Sequence, residues 1–313
     1  MAKKLSFKSI GRIIKNCCIS SYDDNIASLS ASLAYFIIFS LGPLLVITIV
    51  LFDPFFSRGA AESHIFQQLQ NFVGKNTAPQ LEQIVKSTFI PYKSTLAVVI
   101  GSIWLLIGAT SVFAEIQDSI NRIWGLKPKP KSGLLKYLKN RFLSFSVIIG
   151  LGFLLLVSFA VSTLIGGFDS WLKEAYPAVT QAIFYTVSIV VTLIVTTVIF
   201  GVIFKVLPDA KIKWKDVAAG AITASVLFVL GKFVITFYIS KTVTGSTYGT
   251  GASLVILLLW TYYVSIILYF GAEFTRAYIA EFGRQILPSE DTVSTRVVEV
   301  RKGKQATEKK EKE

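Results

Sequence analysis

Six long apolar blocks, set apart by short polar and basic stretches, constrain this chain more than any other feature. They cover residues 27–52, 94–114, 142–165, 178–204, 217–240 and 252–272. A helix needs about 20 apolar residues to cross the ~30 Å hydrocarbon core of a bilayer, and each block meets that length. A membrane β-barrel would instead alternate apolar and polar residues in segments of about ten, and these blocks do not alternate. Charged residues make up 16% of the chain, against roughly 25% in a soluble domain. The expected fold is all-α, a polytopic membrane helix bundle with about six transmembrane helices.

The net charge of +13 would suit nucleic acid if it were spread over one soluble surface, but it follows the topology instead. With both ends placed in the cytoplasm, the inner segments carry 25 Lys and Arg residues and the outer segments six, while Lys232 falls inside a span. Loop Lys/Arg bias sets orientation, so the basic excess reads as contact with the anionic inner leaflet. No nucleic-acid partner is needed to account for it.

Residues 27–276 therefore form the transmembrane domain, flanked by a cytoplasmic N-terminal segment, 1–26, and a charged tail, 277–313, expected to be disordered. Leu5, Ile10, Ile13, Ile14 and Cys17 recur at roughly helical spacing with Lys3, Lys4, Lys8, Arg12 and Lys15 between them. This predicts an amphipathic helix on the inner leaflet, with a partly ordered tail as the alternative. The segment has no apolar core of signal-peptide type. The large outer segment, 53–93, holds two short amphipathic stretches, His64–Leu69 and Leu81–Val85, separated at Ala78-Pro79. Cys17 and Cys18 are adjacent, which disfavours a disulfide between them, and they receive no function.

Polar residues inside an apolar bundle are costly and so are informative. On the second span Gly101, Gly108, Glu115 and Arg122 recur every seven residues, with Asp118 three residues after Glu115. This stripe reads either as an inner gate or ion-coupled site, or as an interfacial salt-bridge cluster joining helices. On the last span Tyr262, Ser265, Tyr269, Glu273 and Arg276 share one face, and Glu273 and Arg276 are spaced to pair. Gly42-Pro43 sits in the middle of the first span, where proline removes a backbone hydrogen bond and should kink the helix. The stretch 244–251, which includes Tyr248, Gly249 and Gly251, reads either as a re-entrant loop offering N–H groups to an anion or as a plain turn. Lys232, in the outer half of the fifth span, shares a helix face with Ala221, Ser225 and Thr236. It either snorkels outward or faces the bundle, where no acidic residue is expected at its depth and an anionic ligand would supply the missing charge.

Several of these stretches carry a family resemblance. Asp23 through Pro43, containing Ser28-Leu29-Ser30-Ala31-Ser32-Leu33-Ala34-Tyr35 and Phe39-Ser40-Leu41-Gly42-Pro43, resembles the opening signature of the YihY/BrkB family. Lys205-Val206-Leu207-Pro208, then Trp214 and Ala218-Ala219-Gly220-Ala221, resembles its fourth loop and fifth span. Tyr248-Gly249-Thr250-Gly251-Ala252-Ser253, then Leu258-Leu259-Trp260 and Gly271-Ala272-Glu273, resembles its closing signature. The resemblance implies a bacterial inner-membrane protein of six spans. It brings an association with serum resistance in some members and with movement of envelope lipids in others, and no established reaction. The family's former label, ribonuclease BN, is regarded as mistaken. Lys232 departs from the pattern, where an apolar or small residue is expected.

Three functions fit this sequence. The first is a transporter or flippase of an anionic lipid or envelope-related molecule, with Lys232, Tyr248, Gly249, Gly251, Glu115, Asp118, Tyr269 and Glu273 as candidate path or gate residues. The second is a scaffold for envelope machinery. The third, a ribonuclease, lacks the clustered ligands that nucleases use to hold metal ions. The chain is read as a non-enzyme without cofactor or metal, and its oligomeric state stays open. The charge split makes a direct prediction: cysteines at positions 133 and 210 should be shielded from an impermeant thiol reagent in intact cells, and one at position 75 should be labelled. Labelling at 133 with protection at 75 would overturn the topology.

Overall fold

A computed structural model describes residues 6–52, 95–128, 177–242, 249–289 and 292–294. Six helices and four short strands lie among them: α1 (Phe7–Asp23), α2 (Ile26–Phe52), α3 (Thr95–Ile123), β1 (Leu126–Pro128), α4 (Pro177–Val206), β2 (Ala210–Lys211), α5 (Trp214–Thr242), α6 (Gly249–Glu281), β3 (Leu287–Pro288) and β4 (Thr292–Ser294). Among the described residues, three stretches are long and apolar enough to cross a membrane: Ile189–Val206, Trp214–Val234 and Leu257–Glu281. The expected third span, 142–165, and the outer segment, 53–93, lie outside the described residues, as do 243–248 with Tyr248, and 295–313.

The helices are arranged around α6, which packs against α1, α2, α3 and α5, while α4 packs on α5 and α3 on α2. The sequence explains this centrality. Over half of the α6 span Leu257–Glu281 is buried, against 28% of the α4 span. On α4, Val190, Ile194 and Val198 form an exposed stripe at four-residue spacing, and on α5 Ile222, Val226, Leu230 and Val234 do the same. Exposed apolar stripes of this length suit a lipid surface. Hydroxyls within the helices bond back to carbonyls of the preceding turn: Thr197 to Leu193, Ser225 to Ala221, Thr261 to Leu257 and Thr275 to Gly271. Bonding back this way is one route by which Ser and Thr enter an apolar bundle.

Helices α5 and α6 come together where both are small. A Cβ added to Gly220 would overlap the Thr275 side chain and the Gly271 carbonyl, and one added to Gly271 would lie 2.9 Å from Ala224 Cβ and from Phe204 Cζ. Such a backbone approach needs glycine. Tyr263 donates to the Leu227 carbonyl at 2.8 Å, and Trp124, just after α3, donates to the Ala272 carbonyl at 3.0 Å. Both polar tips are thereby satisfied against neighbouring backbone.

The turn between α1 and α2 positions the site described below. Asn25 adopts φ 55°, the left-handed conformation that Asn tolerates better than most residues. Its carbonyl accepts from the N–H groups of Ser28 and Leu29, which starts α2, while Asp24 N–H closes α1 on Ser20. The chain reverses in two residues, and Asp24 is held against α6.

Two expectations change. The segment from 277 onward was expected to be disordered, yet α6 continues to Glu281, and β3 and β4 pair antiparallel with β2 and β1 respectively. Gly42-Pro43 lies inside α2, which runs from Ile26 to Phe52. Gly249 and Gly251 belong to the first turn of α6 and not to a loop. The glycine crossing gives a test. Gly220→Ala should lower the melting temperature in detergent, reflecting about 1–3 kcal/mol of overpacking, while Gly11→Ala, with open space around it, should not. Equal melting temperatures for Gly220→Ala and the parent chain would contradict the close crossing.

Candidate functional site

Glu273 lies on α6 with 0% exposure, on the same face as Ser265 and Tyr269, which are also fully buried. The four-residue spacing of these three positions stacks them on one side of the helix. The Tyr269 hydroxyl is buried with no hydrogen-bond partner among the described residues. One turn beyond Glu273, Arg276 reaches across to the α1–α2 turn. Its Nη1 lies 2.7 Å from Asp24 Oδ2 and 3.5 Å from Glu273 Oε1. One guanidinium nitrogen thus serves two carboxylates, one on its own helix and one 252 residues away in the chain. Neither Glu273 oxygen accepts a hydrogen bond; the 3.5 Å contact is an ion pair without hydrogen-bond geometry.

Helix α1 closes over this cluster. Ile13 and Cys17 are buried, and Arg12 pairs with Glu281 at 2.8 Å. Burial, reinforced by the nearby Glu273 charge, pushes the Cys17 thiol up to about 12. Cys17 therefore remains a thiol and points its Sγ at the Phe270 carbonyl, 3.8 Å away. The opposite face of α1 leaves Ile10, Ile14 and Cys18 exposed, with Lys8 and Lys15 alongside in sequence. On the other side of α6, Arg284 pairs with Asp216 at 2.6 Å. Three acids that are nearly or fully buried are each met by an arginine with a partly exposed side chain, all at the same end of α6.

A second polar knot ties the neighbouring segments to this end. Asp209, after the Lys205–Pro208 stretch, accepts from Gln117 Nε2 at 3.4 Å and from Asn121 Nδ2 at 3.3 Å, and its N–H donates to Asn121 Oδ1 at 2.9 Å. Its carbonyl accepts from Ser289 N–H at 2.9 Å and Thr292 Oγ1 at 3.0 Å. Lys205 also reaches the Ile212 carbonyl. Helix α3, the α4–α5 turn and the C-terminal strands are joined through this one residue.

The candidate residues separate into distinct groups. Tyr269 and Glu273 sit together in the core. Glu115 is half-buried and Asp118 exposed on the α3 end near Tyr269. Gly249 and Gly251 begin the same helix 24 and 22 residues before Glu273, roughly 36 and 33 Å away along its axis, so they form no common site with it. Lys232 is half-buried on α5, at helical spacing from buried Ala221 and Ser225, the latter bonded by Thr197 of α4 at 2.9 Å. It has an interaction within the protein. Asp24, Gln117, Asn121 and Asp209 were not singled out as site residues. The polar pair Gln117 and Asn121, one turn apart at the end of an apolar helix, was the available signal for two of them. Among the described residues, no group of three or more His, Cys, Asp or Glu side chains is arranged to hold a metal ion.

The family model described as "Virulence factor BrkB" matches residues 20–292, the stretch that includes both polar knots. The chain belongs to the BrkB family. Its BrkB relatives include the UPF0761 membrane protein of Alteromonas mediterranea, 27% identical over 270 residues that cover 85% of each chain. The UPF0761 membrane protein of Pseudoalteromonas translucida is 29% identical over 272 residues, covering 83% of this chain and 82% of that one. The UPF0761 membrane protein of Legionella pneumophila strain Corby is 24% identical over 287 residues, covering 90% of this chain and 65% of its own. No solved structure matches. This BrkB protein is a membrane protein, in keeping with its apolar helices.

The docking of α1 can be checked through its cysteines. At pH 8 a thiol with a value of about 12 holds roughly 10⁻⁴ of its population as the reactive thiolate. In a Cys18→Ser background Cys17 should resist modification under conditions that fully modify Cys18 in a Cys17→Ser background. Equal rates would mean that α1 does not stay docked on α6.

Proposed function

We propose that this BrkB-family protein is a membrane transporter of flippase type that moves an anionic lipid or envelope-related molecule across the bacterial inner membrane. In this reading both termini are cytoplasmic, and the Asp24–Arg276–Glu273 cluster is the closed inner gate. The observation that carries it is Glu273 itself, fully buried on the central helix with both oxygens lacking a hydrogen bond. A protein whose only task is to hold its helices together gains little from such a group. Buried ion pairs can often be replaced by apolar residues with no loss, or a gain, in stability, and ionisable groups within a membrane bundle mark pathways by default. The exposed apolar face of α1 beside Lys8 and Lys15 supports contact with anionic lipid.

A scaffold for envelope machinery is the second reading, favoured by how tightly Ser265, Tyr269 and Glu273 are packed. The two part on one experiment. In proteoliposomes containing fluorescent phosphatidylglycerol or phosphatidylcholine, a flippase should make the anionic lipid of both leaflets accessible to an external quencher. Glu273→Gln should abolish this without lowering the melting temperature. A parent protein that moves neither lipid, in vesicles where its folding is verified, would remove the transport reading and leave the scaffold.

A further inference from the structure

Two carboxylates meeting on one arginine leave a charge unaccounted for. Arg276 Nη1 holds Asp24 at 2.7 Å and Glu273 at 3.5 Å, so the two carboxylates converge on one nitrogen. Ionised carboxylates only accept hydrogen bonds, so nothing in the side chains themselves can bridge the pair unless one carries a proton. Among the described residues, the charged groups paired or placed nearest to this cluster are already engaged or acidic. On α1, Arg12 is engaged by Glu281 at 2.8 Å and Cys17 is a neutral thiol aimed at the Phe270 carbonyl. Beyond α6, Arg284 is engaged by Asp216 of α5 at 2.6 Å. On α3, Glu115 and Asp118 face Tyr269 and add negative charge. An isolated ionised carboxylate is among the costliest groups to bury.

We propose that Glu273 is a proton-binding site, that it shares its proton with Asp24, and that this proton couples to lipid movement. The coupling rests on the transport reading above; the proton site does not. Asp24 is the entry point, because its side chain is 27% exposed in the α1–α2 turn while Glu273 is at 0%. A hydronium ion gives its proton to an Asp24 carboxylate oxygen and leaves as water. The proton then passes to Glu273, forming its O–H bond, and the Asp24 carboxylate keeps Arg276. Glu273 becomes a neutral acid that donates to Asp24, and the cluster of two acids and one guanidinium carries no net charge. Deprotonation restores a net charge of −1 and weakens the hold of the α1–α2 turn on α6.

The test is infrared difference spectroscopy of the full chain in lipid nanodiscs across a pH titration. The protonated-carboxyl stretch should rise as pH falls, be missing in Glu273→Gln, and shift in frequency in Glu273→Asp, which keeps a titratable group should the glutamine variant fail to fold. Asp24→Asn should displace the midpoint of the band. An identical band in the parent and in a folded Glu273→Gln, or in Glu273→Asp, would overturn the site. A transmembrane pH gradient should then change the rate of lipid movement by several-fold in the parent. A band that behaves as described with a flux indifferent to the gradient would overturn the coupling, and a parent that moves no lipid would overturn the transport reading while the proton site stands.

Discussion

The close approach of α5 to α6 at Gly220 and Gly271 is the contact on which the rest of the bundle depends. Without side chains between them, the two backbones meet at a distance that brings Ala224, Thr275 and Phe204 into one packed layer. Apolar attraction gives helices in lipid little reason to associate, so van der Waals fit and satisfied polar groups must do so. This crossing fixes α6 as the helix that others surround. The indole of Trp124 on the Ala272 carbonyl then registers the end of α3 against it, and Tyr263 on the Leu227 carbonyl registers α5 further along.

Once α6 is central, its last two turns become the place where charge can be both buried and reached. Arg276 and Glu281 lie there with Glu273 just before them, and Asp24, Arg12 and Cys17 arrive from α1 and its turn. Asn25 in the left-handed conformation makes that arrival possible in two residues. Asp209 performs a parallel task for the neighbouring segments, joining α3, the α4–α5 turn and the C-terminal strands.

The positions of the described helices were legible because apolar blocks of span length leave little choice of secondary structure. The buried face of α6 was legible too, since Ser265, Tyr269 and Glu273 repeat at four residues. The partners of that face were not. Asp24 meets Arg276 across 252 residues, and Asp209 meets Asn121 across 88, separations at which periodicity carries no information. The strands at Leu287–Pro288 and Thr292–Ser294 are too short to produce an alternating pattern, and their polar surroundings resemble a disordered tail.

The most direct test of a gate at Asp24 and Arg276 is to hold it shut. With Cys17 and Cys18 replaced by serine, the pair Asp24→Cys and Arg276→Cys can be bridged by a cleavable bis-maleimide and the protein placed in vesicles for lipid-movement measurements. A gate at this position predicts that bridging stops movement of the anionic lipid and that cleaving the bridge restores the rate seen before bridging. Lipid movement that proceeds at an unchanged rate through the bridged protein would contradict it.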